Sequence, residues 1–182
     1  DAVKQILRIA SPDVLSNNET FHRLLTEGIP VTKRVNGQER GDRVFLIDFE
    51  NPLHNEFLVV NQFTIVENGV NKRPDIILFV NGLPLVVIEL KNATDDKTTI
   101  QSAFRQIETY KAMISSLFTF NAFSVISDGL EAKAGTISAG LSRFMAWKTT
   151  DGISEASKQI SQLETLIKGM LQPSVLLDLV RH

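Results

Sequence analysis

Asp75, Glu89 and Lys91 are the residues of this 182-residue chain whose types and spacing best suit chemistry. They lie in the stretch 73–92, two apolar runs joined at Asn81-Gly82. Acids and a lysine set in apolar strands either face water at a sheet edge or hold a cation. Glu89 and Lys91, two apart on a strand, point the same way. Asp75 joins them in only one register. A strict two-residue hairpin at Asn81-Gly82 pairs residue 80 with 83 and puts Asp75 opposite Ile88, on the wrong face. An odd-length loop (81–83 or 80–84), or a bulge with the same effect, puts Asp75 opposite Glu89, with Cβ atoms roughly 5 Å apart. Pro84 suits a loop end better than a ladder position, so the odd register is expected.

Two carboxylates that close repel unless a proton or cation lies between them. Mg²⁺ takes carboxylate, carbonyl and water oxygens. Asp75, Glu89 and the Leu90 backbone carbonyl are therefore the expected ligands. Lys91 then stabilises charge on a phosphate or positions an attacking water. In outline this is metal-assisted phosphodiester hydrolysis.

The elements around this stretch follow from periodicity and punctuation. Val3, Ile6, Leu7 and Ile9 have helical spacing that breaks at Ser11-Pro12. Asn17 or Asn18 is expected to cap a second short helix, ended by Gly28. Extended pieces are predicted at 30–34 and 43–49, and one continuous strand over 57–66. The strongest helix is predicted over about 95–115, with Ile100, Ala103, Phe104, Ile107, Lys111 and Ile114 on its core stripe. A buried strand at 122–127, extended pieces at 131–133 and 143–148, a helix capped by Ser154 and a last helix opened by Pro173 complete the chain. Helix, several strands, long helix, strand is an α/β order: a mixed central sheet with antiparallel hairpins and flanking helices.

Composition sets outer bounds. One domain with a sizeable core suits this length. With no cysteine, disulfides and a cysteine-ligated zinc are excluded. A net charge of -2 gives no global basic field, so nucleic acid must be met by a local patch. Lys72 and Arg73 beside the acids are the first candidates for phosphate contact; Lys97, Arg105 and Lys111 on or near the long helix are weaker ones. No apolar run reaches the length of a membrane span, no signal peptide opens the chain, and a cytoplasmic setting is expected. The start without methionine and the apolar helical end at 175–182 are expected to mark a single domain, 1–182, of a longer protein. His22, His54 and His182 lack metal-ligand spacing, Trp147 beside Phe144 reads as core, and Asp48 reads as a sheet-edge carboxylate.

Pro74-Asp75 followed by Glu89-Leu90-Lys91 resembles the PD-(D/E)XK nuclease signature. Gln106-Ile107-Glu108-Thr109-Tyr110 resembles the QxxxY motif of the RecB-like branch, with Gln106 and Tyr110 one helical turn apart. Asn61-Gln62-Phe63, the run 79–85, Glu89-Leu90-Lys91-Asn92 and Val125-Ile126-Ser127-Asp128-Gly129 together resemble the restriction (R) subunit of type I restriction–modification enzymes. The resemblance covers about 17–182. It implies a restriction-endonuclease-like core acting as a Mg²⁺-dependent endonuclease on double-stranded DNA, with Gln106 and Tyr110 orienting the site or the DNA strand. It also implies a following ATP-driven motor, and assembly with methylation and specificity subunits. ATP belongs to the motor, since the chain has no G-x-x-x-x-G-K-[ST]. A further acid on the first helix is common in relatives, and Glu19 and Glu27 are candidates. The fragment alone is expected to cut weakly or not at all. Two rival readings are a non-catalytic assembly or regulatory module with this fold, and a stand-alone structure-selective nuclease such as a junction resolvase.

Overall fold

The computed structural model describes residues 2–92 and 99–182. Its centre is a five-stranded mixed sheet. In spatial order the strands are β3 (Phe57–Asn61), β6 (Ile76–Val80), β7 (Leu83–Leu90), β8 (Phe123–Ser127) and β9 (Ala132–Gly135). Only β7 and β8 run parallel; the remaining neighbours are antiparallel. A parallel pair needs a crossover. Here it passes through α3 (Ile100–Met113) and α4 (Ser115–Thr119).

Two hydrophobic clusters cover the two faces of the sheet. One packs Leu78, Val86, Ile88 and Val125 against α2 (Val14–Glu27), α5 (Gln162–Gly169) and α6 (Pro173–Arg181). The other packs Ile77, Val87 and Ile126 against α3 and α4 through Ile107, Tyr110 and Phe118. The short helix α1 (Ala2–Leu7) and the hairpin of β1 (Ile29–Val35) and β2 (Gln38–Val44) lie outside the sheet, as does the small hairpin of β4 (Ile65–Glu67) and β5 (Val70–Lys72). This is the α/β core with flanking helices expected from the order of elements.

Several boundaries differ from expectation. Asp13, not Asn17 or Asn18, caps α2, accepting from the Leu15 and Ser16 amides. Asn18 is buried and donates to the Phe118, Thr119 and Asn121 carbonyls, satisfying the end of α4. The strand expected at 43–49 ends at Val44, because the pairing with β1 stops at Ile29–Val44. The strand expected over 57–66 breaks at Gln62, whose φ is 53°. The long helix bends away at Ile114, and its predicted start at Asp95 lies outside the described residues. Among the described residues, the segment 143–148 joins the sheet through a single Met145–Ala134 bridge. Ser161 caps α5, while Ser154 belongs to a turn organised by Asp151. In each case a side-chain oxygen nearer the true boundary, or the limit of strand pairing, outweighs the propensity signal.

Candidate active site

The hairpin β6–β7 sets the geometry. Its turn is the two-residue Asn81-Gly82, with φ of 49° and 79°, so Val80 pairs with Leu83. Taken alone, that turn puts Asp75 on the wrong face. A bulge corrects it: Phe79 pairs with Pro84, but Leu78 pairs with Val86, and Leu85 is the extra residue. Leu85 and Val86, adjacent in sequence, therefore pack into the same cluster, and the alternation of β7 inverts. From the bulge on, Val87 faces α3 while Val86 and Ile88 face α2. Leu85 lies on the sheet face opposite that of Val87 and Glu89. The ladder then runs Ile77–Val87 and Ile76–Ile88, which brings Asp75 across from Glu89 at the next step. A bulge, not an odd loop, produces the register.

Asp75 precedes β6 and is held from both neighbouring strands. Its Oδ2 accepts from the Leu90 amide at 2.9 Å and its Oδ1 from the Gln62 side-chain amide at 2.9 Å. Glu89 is 3% exposed. Its Oε1 accepts from Lys91 Nζ at 2.6 Å and its Oε2 from the Tyr110 hydroxyl at 3.1 Å. Burial pushes the Glu89 carboxyl above the usual carboxylate range. The Lys91 hydrogen bond opposes that shift and the Asp75 charge adds to it. Tyr110 titrates above the ordinary phenol range, chiefly through burial and then through the Glu89 charge, so it stays a hydrogen-bond donor. Gln106, half-buried one turn earlier on α3, adjoins the Tyr110 hydroxyl and opposes that rise.

The structure thus gathers Asp75, Glu89, Lys91, Gln106 and Tyr110 at one end of the sheet. An open depression there is lined by residues that include Asn61, Gln62, Asp75, Leu90 and Lys91. Lys91 links the buried carboxylate to this depression, since its side chain is 23% exposed. Lys72 is half-buried at the end of β5 and Arg73 is exposed; neither forms an ion pair among the described residues. The Arg73 carbonyl faces the Tyr110 hydroxyl at 3.5 Å.

Other candidates fall elsewhere. Lys111 is committed to Glu108 and the Ile137 carbonyl, Arg105 is exposed, and Lys97 lies outside the described residues. Glu19 and Glu27 are exposed on α2, and no hydrogen bond or ion pair joins them to Asp75 or Glu89 among the described residues. Asp48 is not a sheet-edge carboxylate. It organises a turn, accepting from the Glu50 and Asn51 amides and contacting His54. Sequence reasoning gave Gln62 no role. Its only signal was a polar residue in the motif Asn61-Gln62-Phe63, within an apolar alternation.

A mixed five-stranded sheet between helices, with an acid pair and a lysine at the end of its central hairpin, is a restriction-endonuclease-like core. Residues 1–143 match the family described as the type I restriction enzyme R protein N terminus, and the chain belongs to that family. It is 41% identical over 183 residues to the type I restriction enzyme HindI endonuclease subunit of Haemophilus influenzae, covering 99% of this chain and 17% of that protein. It is 36% identical over 148 residues to a protein of Methanocaldococcus jannaschii named as the MjaIXP endonuclease subunit, covering 80% of this chain and 14% of the relative. The type I restriction enzyme EcoprrI endonuclease subunit of Escherichia coli is 31% identical over 150 residues, covering 75% of this chain and 47% of the relative.

Proposed function

We propose that this chain is a Mg²⁺-dependent DNA endonuclease domain, with Asp75, Glu89 and the Leu90 carbonyl holding the metal and Lys91 acting at the phosphate. The observation that carries this reading is the bulge-set register, which brings Asp75 across from a buried Glu89 already hydrogen-bonded by Lys91 and Tyr110.

The donor set fits a hard divalent cation. It offers only oxygens, and no group of three or more His, Cys, Asp or Glu side chains forms a metal cage among the described residues. Mg²⁺ is commonly held by one or two carboxylates and completes its shell with water and substrate phosphate. When bound, the ion supplies positive charge at the phosphate and makes a bound water more acidic.

The chain's own groups divide the remaining work. Gln62 and the Leu90 amide fix the Asp75 carboxylate in orientation. Burial disfavours the charged form of Glu89, a cost that a neighbouring cation offsets. Lys91 brings an ammonium to the depression, where it stabilises charge developing on the phosphoryl oxygens. Tyr110 keeps its proton and holds Glu89 Oε2, with Gln106 beside it. Lys72 and Arg73 are proposed to meet the DNA backbone.

In the whole protein, cutting follows ATP-driven translocation by domains outside these residues. The partners are double-stranded DNA and the methylation and specificity subunits, in the cytoplasm. Nicking and double-strand cleavage by the full assembly, wild type against Asp75→Ala, test the reading while ATP hydrolysis is followed. Loss of cutting with ATP hydrolysis intact is expected. Normal cutting by the variant would reject the site and leave the fold as an assembly module.

A further inference from the structure

Among the described residues, four that are not glycine have a left-handed backbone: Asn36, Gln62, Asn68 and Asn81. Three have an evident local reason. Each is the asparagine of an Asn-Gly pair turning a hairpin, with the following glycine also at positive φ. Gln62 has neither an asparagine side chain nor a glycine after it. It ends β3 without closing a hairpin, in a conformation that residues with a Cβ adopt at a cost. Such residues persist where the surroundings over-determine them, and they cluster at functional sites.

The surroundings are explicit here. The Gln62 backbone amide donates to the Asp75 carbonyl at 2.9 Å, continuing the β3–β6 ladder one step past Asn61–Ile76. Its side-chain amide donates to Asp75 Oδ1 at 2.9 Å, while the Leu90 amide holds Oδ2 at the same distance. Strands on both sides therefore grip one carboxylate, and Gln62 is the side chain in that grip. Each oxygen keeps a further lone pair, so the carboxylate is fixed in direction and still able to bind. Gln62 also lines the depression with Asp75 and Lys91. β3 then stops, and the chain leaves for the β4–β5 hairpin.

We propose that Gln62 is a positioning residue that orients Asp75 for the divalent cation, and that its left-handed backbone is retained to aim the side-chain amide at Asp75. This rests on the metal-site reading above. It requires that removing the amide weaken metal binding even where the backbone is relieved.

Gln62→Gly makes that separation, because glycine adopts the left-handed conformation freely. Gln62→Asn is the companion, since asparagine tolerates the same backbone but is one methylene too short to reproduce the contact. Both are made in the full-length protein within its assembly, with Asp75→Ala alongside. Mn²⁺ binding is measured directly by paramagnetic resonance, and cleavage is titrated against Mg²⁺ while ATP hydrolysis reports assembly. Outer partners of metal ligands typically change affinity by about 10- to 100-fold. Both Gln62 variants are expected to bind Mn²⁺ at least about tenfold more weakly, to need correspondingly more Mg²⁺ for half-maximal cutting, and to recover most cutting at saturating metal.

If either assembled variant binds Mn²⁺ as tightly as wild type, the proposal is overturned and Gln62 merely ends a strand. In that case Asp75→Ala tells the two failures apart. Lost binding in Asp75→Ala with intact binding in the Gln62 variants rejects Gln62 alone. Intact binding in all three rejects the metal site itself.

Discussion

The two ends of the β6–β7 hairpin treat polar groups in opposite ways. At the turn end, Asn81 donates to the Leu46 carbonyl and to Asn55 Oδ1 and accepts from the Glu56 amide. Asn55, 8% exposed, donates to the Asp48 and Pro52 carbonyls and accepts from the Asp48 amide and from Asn81. Both side-chain N–H bonds of each amide are used, and the groups joined by the two asparagine side chains are neutral amides and carbonyls. At the other end, Asp75 and Glu89 face one another across the ladder with one ammonium between buried carboxylate and solvent. The single ammonium, paired with Glu89, offsets one of the two carboxylate charges and leaves the other uncompensated by an ion pair among the described residues. The first arrangement is built for stability. The second, under the proposed metal site, leaves carboxylate lone pairs for a cation and is expected to cost stability without one.

Substitutions should separate the two ends cleanly. The largest effect is expected from Asp75→Ala: cleavage by the full assembly falls by about 10³-fold or more, a scale typical of lost transition-state charge stabilisation. Its unfolding midpoint should stay near that of wild type. At the turn end the pattern reverses. Asn55→Ala strands the Asp48 amide and carbonyl, while the Pro52 carbonyl keeps the Asn55 backbone amide, at a cost of about 2 kcal/mol. Denaturant unfolding followed by Trp147, the chain's single tryptophan, should report that loss while cutting persists at permissive temperature. An Asn55→Ala protein that is stable but cannot cut would abolish the contrast.

Glu89→Gln sharpens it through pH. Because burial raises the Glu89 carboxyl, the unfolded chain ionises at lower pH than the folded one. Wild-type stability from this group is fully present in acid and lost as pH rises through the folded value. The glutamine variant lacks that slope. In metal-free buffer it should match wild type well below the usual carboxylate range and exceed it by about 1 kcal/mol at neutral pH, while losing cleavage. Equal stability at both pH values would show that Glu89 carries no net penalty. The smallest effect is expected from Tyr110→Phe. Losing one donor to Glu89 Oε2 should lower cleavage by about 5- to 10-fold, roughly 1 kcal/mol. The Glu89 titration, followed by carboxyl NMR, should move further upward.

Much of this was legible in the chain. Asp75, Glu89 and Lys91 stand out because charges are rare in apolar strands, and Gln106 and Tyr110 because the run 106–110 resembles the QxxxY motif and sets them one helical turn apart. The α/β order follows from alternation and helical stripes. Helix starts were less legible: Asp13 caps where Asn17 or Asn18 was expected, and Ser161 where Ser154 was. Many polar residues near a boundary can accept from a helix amide, and only the tertiary path decides which does. Asn18 carries a capping side chain yet sits in the core against the end of α4.

By itself, the sequence determined which residues carry charge, where the strands of the hairpin run, and that they join around Asn81-Gly82, though not that the turn has two residues. It also limited the acid pair to two faces, one useful and one not. Which face is realised was decided only in three dimensions. The choice rests on one extra residue, Leu85, accommodated because β7 is packed between helices on both sides, where its side chain joins Val86 in a single apolar cluster. Packing on both faces is what a linear pattern cannot specify. The left-handed Gln62 has the same origin, since its strand must end where its amide meets Asp75.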